Sequence, residues 1–251
     1  MDCRLIAVSG WASPPETLLP LAEQVGDATP QLVDWADLLD SSTALHEMCD
    51  CAQKKDSETK VGTRTLNVLL AWSLGGLLSL KTLAESTADS KPDAVVLIGS
   101  FARFLADEES GWPGADPRLL KAMTLKIARR RENVLREFAQ TCWAGCEGSS
   151  SGVESFVENA QRYSTETLKS GLEALASIDV REALTLIDVP TLVLHGESDA
   201  ISPCESGRRT AELLPNAEFC SVSGGHAVPV AEPDRLAVPI REFLKHDNLK
   251  T

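Results

Sequence analysis

The chain has 251 residues, 43% hydrophobic and 24% charged, with a net charge of −13. Such a composition supports a full core, either as one large α/β domain or as a core with an inserted subdomain, and its acidic balance argues against binding nucleic acid or an anionic membrane surface. Seven cysteines without a C-x-x-C pair, no early apolar run beyond residues 5–8 and no membrane-length apolar stretch argue against a zinc knuckle, a visible secretory signal and a membrane span, and a reducing cytoplasm is expected.

Residues 4–8 (RLIAV) read as a buried strand ended by a turn at Ser9-Gly10-Trp11. Pro14 and Pro15 open a helix carrying Leu18, Leu19, Leu21, Ala22 and Val25, and residues 31–35 predict a second short strand. Residues 37–65 are polar and poorly patterned, with a helix expected over 44–53. An apolar strand ending at Trp72, a helix after it and a buried strand over 94–100 follow. This alternation predicts an α/β fold, a mostly parallel sheet with helices on both faces. From residue 106 to 178 no buried strand is visible. Leu120, Met123, Ile127, Val134 and Phe138 fall on one face of a continuous helix, and a second helical stretch follows the small-residue break at 145–152. A helical lid over 106–178, inserted into a core of 1–105 and 179–251, is therefore expected. Strand pattern resumes at 191–196 and 217–222, and an amphipathic helix over 233–244 closes the pattern.

At Ala71-Trp72-Ser73-Leu74-Gly75 an apolar strand turns directly into an apolar helix through a serine with small neighbours two positions away. This is the layout of a nucleophile elbow, with alanine in place of the usual first glycine. A serine hydroxyl needs a base to take its proton and an acid to orient that base. Of the four histidines, His46 lies in the expected helix, His246 in the polar tail, and His195 at a strand end where it can be structural. His226 sits in the glycine-hinged loop Ser223-Gly224-Gly225-His226 after the last strand and is the candidate base. Asp199, in the loop after the preceding strand, is the candidate acid, with Glu197 as its rival. Ser73, Asp199 and His226 occur in the order Ser…Asp…His at three strand ends. The backbone N–H groups of Leu74 and Trp11 are the expected oxyanion donors.

These residues resemble the α/β-hydrolases. Further islands narrow the likeness to the methyl ester carboxylesterases of biotin synthesis that act on pimeloyl-acyl carrier protein: Gly10-Trp11, Trp72-Ser73-Leu74-Gly75-Gly76, Trp112-Pro113-Gly114, Gly171-Leu172-Glu173-Ala174-Leu175, Asp179-Val180-Arg181, and His226-Ala227 with Pro229. Departures are Ala71, Ser9 in place of histidine before Gly10, Trp35-Ala36-Asp37 where a glycine-rich loop is usual, and a start directly on the first strand. The resemblance implies hydrolysis of an acyl-carrier methyl ester without metal or organic cofactor, with acyl carrier protein as the partner. Between residues 118 and 136 seven cations stand against one carboxylate, a basic face suited to an acidic carrier. Arg130, Arg131 and Arg136 are the expected carrier contacts, with Trp72 and Phe138 beside the substrate. Met123, Phe138 and Trp143 are expected to shape an acyl channel. A small-molecule esterase, an acyl-carrier thioesterase and a non-catalytic binding protein of the same fold remain open alternatives.

Overall fold

The computed structural model describes residues 2–40, 65–87 and 91–245. Its six strands, β1 (Asp2–Val8), β2 (Gln31–Val33), β3 (Thr65–Trp72), β4 (Ala94–Ile98), β5 (Thr191–Gly196) and β6 (Ala217–Val222), form one sheet in the order β2-β1-β3-β4-β5-β6. Every pairing is parallel. The helices are α1 (Leu19–Val25), α2 (Trp35–Asp40), α3 (Leu74–Glu85), α4 (Pro117–Ile127), α5 (Arg131–Cys142), α6 (Ser149–Asn159), α7 (Thr165–Ser177), α8 (Cys204–Leu213), α9 (Val228–Ala231) and α10 (Pro233–Phe243).

The side-chain period of two divides the core. Leu5 and Ala7 of β1, with Val68 and Leu70 of β3, face Leu21, Ala22 and Val25 of α1 and Leu236, Ile240 and Phe243 of α10. Ile6 and Val8, with Leu69 and Ala71, face the opposite layer, which includes Leu74, Leu77 and Leu78 of α3. Covered on both sides, β4 is buried at all five residues, as its continuous apolar run requires. β6, at the sheet edge, is only half-buried. Each fully buried leucine or isoleucine contributes roughly 1.5–3 kcal/mol.

β1 pairs with β2 on one side and β3 on the other, so the order of strands reverses between β1 and β3. Val8 is opposite Ala71, Trp72 opposite Ile98, and Ile98 opposite Leu194, so the carboxyl ends of four strands come out together. A crevice at such a switch point is where ligands bind in open α/β sheets.

Local chemistry shifts several predicted boundaries. Trp35, expected to end a strand, opens α2, because the Asp34 carboxylate accepts the Ala36 N–H at 3.0 Å and turns the chain. The helix expected after Pro14 begins as a 3-10 turn over Pro15–Leu18 before α1. The continuous helix expected through residues 120–138 is two helices. Asp116 caps α4 and Pro117 starts it. α4 then closes where the Lys126 carbonyl accepts both Arg129 N–H and Arg130 N–H, and α5 starts at Arg131. Leu120, Ile127 and Val134 are buried in both halves nonetheless. The expected helix over 44–53 with His46, the Cys49 and Cys51 pair, and His246 lie outside the described residues. Among the described residues no helix is long and apolar enough to cross a membrane.

Helices α4 to α7 form an insertion between β4 and β5, and its two ends are stitched together. Arg103 and Asp179 form an antiparallel bridge and an ion pair at 2.7 Å, and Val180 N–H donates to Ala102 O. Arg181 holds the same carboxylate at 2.7 and 2.9 Å and lies over the Trp112 ring. Burial works against ionisation of Asp179, but hydrogen bonds from Arg181 and Arg103 outweigh it and bring its carboxyl down to about 2.

Candidate active site

Ser73 occupies the turn from β3 to α3 with φ 54° and ψ −121°, a region that a residue with a side chain enters only when held there. A neighbouring strand and its own helix hold it: its N–H donates to Ile98 O of β4 at 2.9 Å, and its carbonyl accepts from Gly76 and Leu77 of α3. Gly75 is required, because a Cβ there would fall 2.2 Å from Ser9 O at the end of β1. Ala71, by contrast, is accommodated as a buried member of β3, paired with Val8.

His226 bridges the other two predicted residues. Its Nε2 lies 2.8 Å from Ser73 Oγ and its Nδ1 lies 2.7 Å from Asp199 Oδ2. With a carboxylate beside Nδ1, the hydrogen-bond pattern assigns the proton to Nδ1 and leaves Nε2 to accept the serine proton. All three side chains are nearly closed to solvent. Asp199 Oδ1 accepts Ile201 N–H at 2.9 Å and Ser202 N–H at 2.8 Å, which fixes the carboxylate on its own loop. Burial alone would raise its pKa. Electrostatic attraction to the His226 ring and hydrogen bonds from His195 and His226 instead hold it well below the usual carboxylate range. Glu197, the rival acid, is exposed and accepts from Ser221 Oγ at 3.1 Å, away from His226.

Leu74 N–H is the first of α3, so the helix offers it no acceptor. Among the described residues, neither it nor Trp11 N–H donates to a backbone carbonyl in the turns and loops. The Trp11 loop is secured from above, its indole N–H donating to Leu168 O of α7 at 2.9 Å. The ring edge of Trp11 meets Phe138 of α5 with centroids 4.8 Å apart.

Trp72, the residue before Ser73, is held by the loop that carries His226. It is buried, and its indole N–H donates to the His226 carbonyl at 3.1 Å, which ties it to the histidine loop. The end of α5 grips the same loop: Ala227 N–H donates to Cys142 O at 2.9 Å and Gly225 N–H to Cys146 Sγ at 3.2 Å. Nothing in the spacing of these cysteines signals that contact.

Among the described residues, two of the cavities along the inserted helices hold the expected channel residues. One, of about 410 Å³, is lined by Phe104, Leu120, Met123, Phe138, Ile201 and others, with Lys126 among its polar residues. The other, of about 230 Å³, is lined by Ser13, Thr17, Trp143, Phe156, Asn159 and others. Met123 and Phe138 thus share a cavity, whereas Trp143 belongs to the second. Neither cavity has a triad residue in its lining. An aromatic row from Trp11 through Phe138 and Phe156 to Trp143 runs between them, with centroids 4.8 to 5.9 Å apart.

The three arginines expected to contact a carrier have three different environments. Arg130 is exposed. Arg131 turns inward and donates to the carbonyls of Ala160 and Tyr163 at 2.8 and 2.6 Å. Arg136 is paired with Glu154 and, at 3.4 Å, with Glu132. The Arg131 guanidinium is thus engaged by the main chain of the insertion. Tyr163 in turn donates to Asp34 Oδ2 at 2.8 Å, tying the insertion to the end of β2.

The profile of the alpha/beta hydrolase fold matches residues 19–233. The chain belongs to the α/β-hydrolase family. Curated relatives include the pimeloyl-[acyl-carrier protein] methyl ester esterase of Vibrio parahaemolyticus, 27% identical over 180 residues, covering 70% of this chain and 69% of the relative. That of Salmonella newport is 28% identical over 221 residues, covering 85% and 80%. Among solved α/β-hydrolase-like structures, bromoperoxidase from Bacillus anthracis superposes with a TM-score of 0.80 at 20% identity, covering 98% of this chain and 93% of that one. An esterase from Exiguobacterium antarcticum gives 0.79 at 18%, covering 98% and 92%. This α/β-hydrolase thus has the family's sheet, and its Ser73, His226 and Asp199 lie at the sheet edge where its strands end together.

Proposed function

We propose that this α/β-hydrolase is a serine carboxylesterase that removes the methyl ester from an acyl chain borne on acyl carrier protein. The observation that carries the reading is the unbroken chain Asp199–His226–Ser73, with contacts of 2.7 and 2.8 Å. His226 takes the Ser73 proton as Oγ attacks the ester carbonyl, and Asp199 stabilises the imidazolium that forms. The N–H groups of Leu74 and Trp11 receive the oxyanion. Collapse of the tetrahedral intermediate expels methoxide, which His226 protonates to methanol. Water, deprotonated by His226, then hydrolyses the acyl-enzyme to a carboxylate and restores Ser73.

The substrate assignment rests on the curated relatives and two features of the insertion. The 410 Å³ cavity is lined largely by apolar groups, as an acyl chain requires. Lys126, at that cavity, and Arg129 and Arg130 just beyond it are exposed cations suited to an acidic carrier. A second reading, hydrolysis of small free esters, is favoured by the internal commitments of Arg131 and Arg136, which reduce the basic face.

Intact-mass analysis of pimeloyl-acyl carrier protein methyl ester after incubation tests the proposal. The expected result is loss of the methyl group alone, absent with Ser73→Ala. Release of the whole acyl chain means a thioesterase, and an unchanged carrier sinks the carrier substrate. Reversal of Lys126, Arg129 and Arg130 to glutamate is expected to raise KM for the carrier substrate about tenfold, with little change toward p-nitrophenyl acetate. Equal behaviour on both substrates favours the small-ester reading.

A further inference from the structure

We infer that His195 is a positioning residue of the active site, a second imidazole that fixes the Asp199 carboxylate for His226. The inference rests on Ser73, His226 and Asp199 acting as the triad. His195 lies near the end of β5, four residues before Asp199, and is fully buried. Its Nε2 stands 2.9 Å from Ser202 O and 3.2 Å from Asp199 Oδ2, the oxygen that also meets His226 Nδ1. Both neighbours of Nε2 are acceptors, so that nitrogen carries a proton and shares it between them. The other nitrogen, Nδ1, is buried with no partner in a slot against α8, where a Cβ on Gly207 would fall 2.3 Å from it.

An unpartnered nitrogen in the interior is unfavourable, and an apolar ring would fill the same slot without that cost. What the imidazole supplies is the N–H at Nε2. Asp199 thereby receives four donors, two backbone N–H groups on Oδ1 and two imidazoles on Oδ2. The bifurcated bond also ties the carboxylate to Ser202, on the turn that carries it. While His226 gains a proton from Ser73, the acid must neither swing away nor follow the ring. With its Nε2 bonded on both sides, His195 restrains that movement without touching substrate, and it lines neither cavity. Its loss therefore acts on kcat and leaves KM in place, because a small displacement of reacting groups is costly while binding is untouched.

The test compares wild type, His195→Gln, which keeps a donor near the Nε2 position, His195→Leu, which does not, and Gly207→Ala, which pushes on the ring without removing it. Each is assayed for p-nitrophenyl butyrate turnover, for the rate of Ser73 labelling by a fluorophosphonate and for melting temperature. The leucine variant is expected to lose roughly 10- to 100-fold in kcat and in labelling rate with KM within twofold, and the glutamine variant to recover most of the loss. Gly207→Ala is expected to lower kcat in the same direction, which keeps the inference testable if the leucine variant does not fold. A folded leucine variant with wild-type kcat overturns it, as do equal losses in the leucine and glutamine variants. Failure of wild type to label at Ser73 overturns the triad itself, which separates the two readings.

Discussion

The sheet edge and the inserted helices above it both hold polar groups out of water, but by different means. At the edge, Ser73, His226 and Asp199 leave separate strand ends and meet one another, and backbone hydrogen bonds fix Ser73 and Asp199 in place. In the insertion, long side chains reach out to whatever carbonyl or carboxylate the next helix presents. Arg131 reaches main-chain carbonyls 29 and 32 residues away, and Arg136 reaches glutamates on α5 and α6. The main chain thus sets the geometry of the three groups at the strand ends, while side chains set the geometry of the insertion. The insertion touches the proposed catalytic groups through the backbone of the histidine loop, which Cys142 and Cys146 hold.

Removing the negative charge at the edge should have the largest effect. Asp199→Asn is expected to reduce kcat roughly 10⁴-fold by favouring the wrong tautomer of His226, as the same change does in other serine triads. Steady-state kinetics on p-nitrophenyl esters measure it, and a loss below tenfold would assign the acid elsewhere. A smaller effect, on stability, sharpens the contrast within the insertion. Arg131→Met leaves two carbonyls without their donor and should cost about 2 kcal/mol, whereas Arg136→Met, at a solvent-screened ion pair, should cost less. Urea denaturation of the two variants decides between them, and equal midpoints would mean that the two arginines do the same job.

The smallest effect concerns the joint between the regions. The Asp179 carboxyl is depressed to about 2 in the fold from a reference of 3.8. Its contribution is therefore complete above about pH 4 and is lost as the pH falls through that interval toward 2. The difference in melting temperature between wild type and Asp179→Asn should hold steady at neutral pH and shrink between pH 4 and 2. A difference that does not vary with pH would show that the Arg103 and Arg181 contacts act by hydrogen bonding alone.

Much of the edge was legible because its signals are local. Continuous apolar runs gave β3, β4 and β5, and the order serine, aspartate, histidine marked the loops that follow β3, β5 and β6. The roles of Trp72 and Arg131 were not legible, since each depends on a carbonyl distant in sequence: His226 for one, Ala160 and Tyr163 for the other. The helix break at residues 128–130 turns on which N–H groups the Lys126 carbonyl accepts, a choice that apolar spacing does not record. His195 could have been suspected from its closeness to Asp199 in the sequence. That its ring points at the carboxylate depends on Gly207, which lies on another element.

The left-handed backbone at Ser73 places a thermodynamic handicap at the residue proposed as the nucleophile. Glycine would take that conformation freely, whereas any other side chain there forgoes about 1 kcal/mol of stability or more. The position is therefore one where selection for a more robust fold and selection for activity pull in opposite directions. A lineage that lost its need for the reaction would be free to drift to glycine at residue 73 and melt at a higher temperature for it.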